Sequence, residues 1–566
     1  MAVDSARLTK MATVRDLVSG RLSTALVSAF AAGALPTPAE AIVVPPIEVV
    51  RPQLAEHGDF STNLALKLAG PLRRQPRQIG EALVSSLGAR ADDELVVRAE
   101  AAGPGFVNLW LAPGYVEGAA DAIRAAGPSY GRSMTEAPHR INVEFVSANP
   151  TGPLTVGNAR GAFVGDLLCR VLEAVGHQVT REYYFNDSGT QVEKLGLSVQ
   201  ALRNGQPVPD DGYHGDYVGD LAKQLPEDVW QKALADASRA GWVLGEWASE
   251  QVRAGIEASL ENLGVHFDVW KSEGSLHSEG WVSRAVQKLK ASNDIYEQDG
   301  ALWFRSTAYG DDKDRVVIRS NGEPTYFASD IGYVSEKFGR GFDELIYIWG
   351  ADHHGTVARL KNAAQALGFD RDATNVLLIA WVRFVRDGVE MSMSKRAGEF
   401  VSLDELLAEV GVDAARWFFA SRAPTTGIDF DIELAKKESS ENPVYYVQYA
   451  HARIASILRK AQAEGVATAD SLAGGLADDP VALALAKDLL RLPDIVRDAA
   501  DERETQSITT FATALATTFH AFYRDRRVVD AADPQTSGYR LALVDATRVT
   551  LAAALGLLGI SAPDSM

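Results

Sequence analysis

The sequence predicts a multidomain α/β chain: an N-terminal α+β domain, a central domain on a parallel sheet with a helical insertion, and an all-α C-terminal helix bundle. Three observations predict it. Residues 141–185 spell a strand, a Pro/Gly loop, a helix and a second strand, which is a βαβ crossover and makes the central domain Rossmann-type. Apolar runs of strand length recur at 315–318, 345–349 and 376–381, after a polar helical stretch at about 190–310 that reads as the insertion. Beyond about residue 435 the periodicity is helical. A chain of 566 residues is long enough for several cores, and the expected domains are 1–120, 121–434 and 435–566.

Taken in order, the N-terminal domain reads as a helix at 14–32, a strand near Ile47–Val50, helices around 61–69 and 77–88, and a strand pair near 95–111. Gly58-Asp59 and Gly103-Pro104-Gly105 mark turns, and 130–139 reads as a linker. Strand 141–147 leads into a helix from Asn158 to Val175, with apolar residues at 163, 164, 167, 168, 171, 172 and 175. Gly176 stands where a C-cap glycine belongs, and Gln178–Phe185 is the returning strand. Arg383–Met391 reads as a hairpin with an Asp387-Gly388 turn. A basic loop follows, and Ser402 with Glu405 forms a capping box.

Composition excludes several classes. Hydrophobic and charged fractions of 46% and 23% are those of an ordinary globular protein. A net charge of −19 and a pI near 5.1 give no general basic surface, so any RNA footprint must be local. The single cysteine, Cys169, excludes a disulfide framework and a zinc cluster and suits a reducing, cytoplasmic compartment. The run Thr24–Leu35 imitates a signal-peptide core, but Asp4 and Asp16 interrupt what should be a cationic leader. An amphipathic helix from Val14 to Ala32 is the expected form. No run is read as reaching the ~18 apolar residues of a membrane span.

The most informative stretch is Glu144-Phe145-Val146-Ser147-Ala148-Asn149-Pro150-Thr151-Gly152-Pro153-Leu154-Thr155-Val156-Gly157-Asn158-Ala159-Arg160-Gly161. A strand, a loop and a helix start present backbone N–H groups and a positive helix end to a phosphate. With Ser392-Met393-Ser394-Lys395-Arg396, Asn442-Pro443-Val444-Tyr445-Tyr446-Val447-Gln448-Tyr449-Ala450-His451-Ala452-Arg453 and the end Leu557-Leu558-Gly559-Ile560, this order of motifs resembles the arginyl-tRNA synthetases of class I. The N-terminal His57-Gly58-Asp59-Phe60 and Gly103-Pro104-Gly105-Phe106-Val107-Asn108 are similar to that family's additional tRNA-binding domain. One departure stands out: the family's His-x-Gly-His reads Thr155-Val156-Gly157-Asn158 here.

The resemblance implies ligation of L-arginine to its tRNA with ATP, through arginyl-adenylate, by a monomer. Magnesium would accompany the ATP phosphates, with no dedicated protein metal site. It implies Lys395 of the loop 392–396, Asn158 and Thr155 as catalytic residues. Pro150, Thr155, Gly157, Asn158, Met393, Ser394 and Lys395 would hold ATP. Ser147, Asn149, Asn158, Tyr326, Asp330 and Asp352 would hold arginine. Tyr326 and Asp330 stand four apart, on one face of a helix, and supply the aromatic wall and carboxylate that a guanidinium requires. The paired His353 and His354 invite a metal reading, but no third ligand is evident.

Thr155 and Asn158 keep a hydrogen-bond donor each but carry no charge. A charged donor exceeds a neutral one by about 1 kcal/mol, a factor of five to ten in rate, which Arg160 or Arg396 could offset. The C-terminal domain from 441 is acidic, with 12 Lys and Arg against 16 Asp and Glu, yet its cations cluster. Tyr445, Tyr446, Tyr449, Arg453, Arg524 and Arg527 are the expected tRNA contacts, with Tyr523 beside them, because splayed bases need stacking aromatics next to phosphate-binding arginines. Arg73, Arg74 and Arg77 form a second candidate patch. The alternative is a silent paralogue that only binds tRNA; the retained Lys395, Tyr326 and Asp330 speak against it.

Overall fold

The computed structural model describes residues 13–36, 43–88, 94–135, 137–187, 189–391 and 402–566. The loop 392–396, with Met393, Ser394, Lys395 and Arg396, lies outside them.

The N-terminal domain opens with α1 (Val14–Ala31), whose first turn is closed reciprocally by Thr13 and Asp16. Its Val18, Leu22, Leu26 and Ala29 are buried, so the Thr24–Leu35 run packs into a core, as the amphipathic reading requires. Then come β1 (Phe60–Thr62), α2 (Leu64–Leu72), α3 (Pro76–Leu87), β2 (Val96–Ala102) and β3 (Phe106–Leu111), with the sheet ordered β1-β3-β2 and antiparallel. The strand expected at Ile47–Val50 shrinks to one bridge, Val50 to Ser61. Pro45, Pro46 and Pro52 flank it and have no N–H to extend a ladder. Helix α4 (Pro113–Ala126), unforeseen in the sequence, leads into the central domain.

There β4 (Arg140–Glu144), α5 (Val156–Ala174) and β5 (Gln178–Phe185) form the expected βαβ unit. Gly165 lets α5 lie against β4, since a Cβ there would run into the Phe145 ring. The insertion carries α6 (Thr190–Arg203), α7 (Asp216–Gln224), α8 (Glu227–Ala235) and α9 (Ala240–Asn262), then β6 (Val269–Ser272), α10 (Glu273–Ser278) and α11 (Trp281–Ala291). Next are β7 (Ile295–Gln298), β8 (Ala301–Phe304), β9 (Arg315–Ile318), α12 (Tyr326–Gly339), β10 (Glu344–Gly350), α13 (His354–Ala366) and β11 (Thr374–Ile379). Among the described residues the parallel sheet is ordered β11-β10-β4-β5-β6. Two expectations are corrected here. Strand 315–318 belongs to a separate antiparallel sheet with β7 and β8, and the insertion returns β6 to the main sheet. A four-residue apolar run carries no mark of which sheet it joins.

The hairpin β12 (Val382–Arg386) and β13 (Val389–Glu390) turns at Asp387-Gly388, both at positive φ, and β12 pairs in parallel with β14 (Ile428–Asp431). Between them lie α14 (Leu403–Val410), with the Ser402/Glu405 capping box, and α15 (Val412–Ala420). After α16 (Ile432–Lys436) the bundle comprises α17 (Pro443–Ala463), α18 (Pro480–Leu489), α19 (Leu492–Glu502), α20 (Gln506–Asp525) and α21 (Pro534–Leu558). Helix α21 is long and apolar enough to cross a membrane, where the sequence reading found no such run; 78% of its apolar window is buried inside the protein.

Ion pairs bind the first module to the last. Arg15 meets Asp498 through two bonds of 2.6 and 2.7 Å, Arg497 meets Asp16 at 2.7 Å, and Lys487 meets Asp59 at 2.8 Å. Deeper, the Arg416 guanidinium joins Asp166 of α5 at 2.8 Å, the carbonyls of Leu263 and Gly264 after α9, and the Leu558 carbonyl of α21.

Candidate active site

The chain leaves β4 for β5 on one side, while β10 lies on the other side of β4, so the crevice between β4 and β10 is the topological switch point of the sheet. A cavity of about 510 Å³ opens there, lined by Glu144 and Ser147 from β4 and its end, Tyr326 and Asp330 from α12, and Tyr347 and Gly350 from β10. Val146 and Ser147 both adopt positive φ, 65° and 42°, a strained turn of the kind found where a side chain must be aimed. Neighbours hold it. The Ser147 hydroxyl donates to Glu144 at 3.2 Å and accepts from the Tyr184 N–H at 3.1 Å. The Tyr183 hydroxyl bonds both the N–H and the carbonyl of Ala148, at 3.0 and 2.9 Å.

Two buried carboxyls, Asp330 and Glu144, line the cavity with Glu273 close by, and His353 and Arg359 also line it. Among the described residues no hydrogen bond or ion pair engages the Asp330 carboxyl. Burial, with Glu144 and Glu273 nearby, pushes its pKa up to about 7. Burial also raises Glu144, although the Lys337 ammonium sits 2.7 Å away. Burial raises Glu273 as well, against hydrogen bonds from Ser329 and Tyr184. Behind them Glu182 is buried yet held below its ordinary value by Lys337 and Arg340. Tyr326 is 74% exposed at the mouth, one turn from Asp330. A planar cation entering past Tyr326 would meet the Asp330 carboxyl and draw its proton off.

The structure therefore brings Ser147, Tyr326 and Asp330 together. Asp352 is set apart on an exposed 3₁₀ turn, its carboxylate 3.6 Å from His353, while Gly350 and His353 on either side line the cavity. Asn149 is exposed and donates to Gln191 of α6 at 2.9 Å. Glu144, Glu273, Tyr347 and Lys337 were missed in the sequence. A charged residue inside the apolar run 141–146 was the available signal for Glu144, since such residues are rarely buried without a task.

Around the loop, Pro150 is buried and Gly157 is exposed at the start of α5. Thr155 and Asn158 close the first turn of α5: the Asn158 Oδ1 accepts from the Thr155 N–H and from its hydroxyl, both at 3.1 Å. Thr155 also bridges to Ser402, six positions after the loop 392–396 ends. Arg160 cannot offset the missing histidines. It is 1% exposed, and its guanidinium donates to the carbonyls of Ala380, Trp381, Ala423 and Thr426 at 2.7–3.3 Å, tying α5 to the far loops.

On the bundle, Tyr445 and Tyr449 stack at 6.2 Å on α17, and the Arg453 guanidinium lies over the rings of Tyr449 and Tyr523 at 4.9 and 5.4 Å. Tyr446 packs on His520 of α20, a residue the sequence reading passed over, whose buried ring nitrogens have no hydrogen-bond partner among the described residues. Arg524 and Arg527 are exposed, paired with Asp525 and Asp530. In the N-terminal domain, Arg77 pairs with Glu81, and Arg73 caps α2 in the left-handed conformation.

Comparison with known proteins gives consistent matches along the chain. Residues 16–111 match the arginyl tRNA synthetase N-terminal domain profile. Residues 123–212 and 248–424 match the class I (R) tRNA synthetase catalytic domain, and 447–566 the DALR anticodon binding domain. The Arginine–tRNA ligase of Geobacter sp. (strain M21) is 46% identical over 530 residues, covering 92% of this chain and 95% of that protein. That of Desulforudis audaxviator is 47% identical over 533 residues, covering 92% and 94%. The Thermus thermophilus arginyl-tRNA synthetase structure superposes with a TM-score of 0.77 over 98% of this chain and all of that one, at 24% identity, which speaks to the fold.

Proposed function

The chain belongs to the arginyl-tRNA synthetases and is an arginine–tRNA ligase that uses ATP, and from that premise we propose how its residues divide the work. The unpaired Asp330 carboxylate, buried beside Tyr326, carries the assignment of the arginine side chain. Glu144, already matched by Lys337, and Glu273 complete a negative pocket around the guanidinium. Ser147, set by the strained turn, faces the backbone of the amino acid together with Asn149.

ATP lies over Pro150–Asn158, with its phosphates toward the N–H groups at Gly157 and the start of α5. An arginine carboxylate oxygen attacks the α-phosphorus, the bond to pyrophosphate breaks, and arginyl-adenylate forms. The terminal ribose hydroxyl of the tRNA then attacks the adenylate carbonyl carbon, AMP leaves, and the hydroxyl proton passes to solvent. Catalysis rests on position and fixed charge. Thr155 and Asn158 act first as the scaffold of the helix start, leaving one Asn158 amide N–H₂ for the nucleotide, and Lys395 supplies the charge to the phosphates. Magnesium arrives with the nucleotide; among the described residues no group of three His, Cys, Asp or Glu is placed to hold a metal.

Tyr445, Tyr449 and Arg453 form the tRNA-facing surface of the bundle, with Tyr446 packed behind and Arg524 and Arg527 flanking it. The enzyme works as a cytoplasmic monomer. The test is charging of tRNA with radiolabelled arginine: wild type should charge, while Lys395→Ala and Asp330→Ala should lose most activity. A wild type that binds tRNA and never charges it would leave the silent paralogue standing.

A further inference from the structure

Between Pro150 and Pro153 the nucleotide loop passes beneath the insertion. Tyr217, on the first turn of α7, donates its hydroxyl to the Thr151 carbonyl at 2.7 Å. A Cβ on Gly152 would stand 3.2 Å from that same hydroxyl, so the loop carries no side chain where the tyrosine lands. The tyrosine is itself fixed: half-buried, it packs against the hydrophobic core, and Gly215, at φ +129°, brings the chain in tight beneath its ring. A second thread runs alongside, from Asn149 to Gln191 of α6. The catalytic-domain profile leaves residues 213–247 unmatched, so this contact reaches the loop from a segment outside the shared catalytic core.

We propose that Tyr217 is a positioning residue that fastens the nucleotide loop to the helical insertion, so that the insertion sets the affinity for ATP. The inference rests on the reading that Pro150–Asn158 holds ATP. The loop is rich in Pro and Gly and has no ladder of its own from Asn149 to Pro153. Its path is therefore set by outside contacts, and a bond to the Thr151 carbonyl fixes the backbone four residues before Thr155. Burial raises the Tyr217 phenol, which keeps it a donor at every working pH. Movement of α7 would be passed directly to the loop.

The experiment compares wild type, Tyr217→Phe, Gly152→Ala, the double variant and Gly157→Val in aminoacylation at saturating arginine and tRNA, with thermal melting of each. Phenylalanine keeps the ring and removes one hydrogen bond, so Tyr217→Phe should raise the KM for ATP about five-fold. Its kcat should stay within about two-fold, and the KM for arginine and the melting temperature should not move. Gly152→Ala should raise the same KM by pushing the hydroxyl off its acceptor, and adding Tyr217→Phe should then change nothing further. An unchanged ATP KM in Tyr217→Phe, beside a raised one in Gly157→Val, overturns the inference and spares the ATP reading. Additive effects, or an ATP KM that rises only together with a lowered melting temperature, also overturn it. No effect of Gly157→Val on ATP would remove the reading itself.

Discussion

The Lys337 ammonium donates to the Glu144 carboxylate at 2.7 Å with both side chains buried, and the rings of Tyr347 and Tyr333 flank it at 4.0 and 4.2 Å. The pair fixes the charge of the arginine pocket before any substrate arrives. Removing one partner leaves an uncompensated charge in the core. Lys337→Met should destabilise the protein by about 3 kcal/mol or more, while Glu144→Gln/Lys337→Met should recover much of that loss. Denaturant melts of wild type and the two variants read it directly.

Asp330 gives a pH signature. Its folded pKa, about 7, stands above the ordinary carboxylate range. The native state therefore holds a proton that the unfolded chain has released between about pH 4 and 7, and the penalty on stability grows as pH rises through that window. Asp330→Asn should thus be more stable than wild type at pH 8, by about 4 kcal/mol, with the difference largely gone near pH 4. In wild type the KM for arginine should fall as pH rises from about 6 to 8, and in Asp330→Asn it should be high and flat.

Asn158 caps α5 through its Oδ1, so Asn158→Ala should cost about 1 kcal/mol in stability and raise the KM for ATP. Asn158→His places a titratable ring beside the phosphates. Its charging rate should vary with pH between about 6 and 7.5 more than that of wild type. Superimposable profiles would put position 158 away from the developing charge.

Arg453 is braced by Tyr449 and Tyr523 on the outside of the bundle. Arg453→Ala should raise the KM for tRNA about ten-fold and lower the slope of log affinity against log salt by about one. The KM values for arginine and ATP should be untouched. A melting temperature that drops along with tRNA affinity would assign Arg453 to packing.

What could be read from the sequence was mostly local. The βαβ unit, the Asp387-Gly388 hairpin and the Ser402/Glu405 cap rest on neighbours in the chain, and each appears where its pattern places it. The spacing of Tyr326 and Asp330 likewise needs only a helix. Partnerships across the fold left no such mark. Val316 and Val317 read as main-sheet strand residues and lie in another sheet, because a short apolar run does not name its neighbour. Arg160 read as a free charge beside the site, yet four carbonyls from residues 380–426 consume it. Glu144 went unnoticed because its counter-ion lies 193 positions away.

The clasp of Arg15 with Asp498 and Asp16 with Arg497 has a consequence for birth on the ribosome. Their partners are synthesised some 480 positions later, which at ordinary translation speed is roughly half a minute to a minute and a half. Throughout that interval the opening module holds charges whose complements do not yet exist. Helix α19 supplies those complements, so the opening module completes its charge pairing only late in synthesis, when a distant part of the chain reaches it.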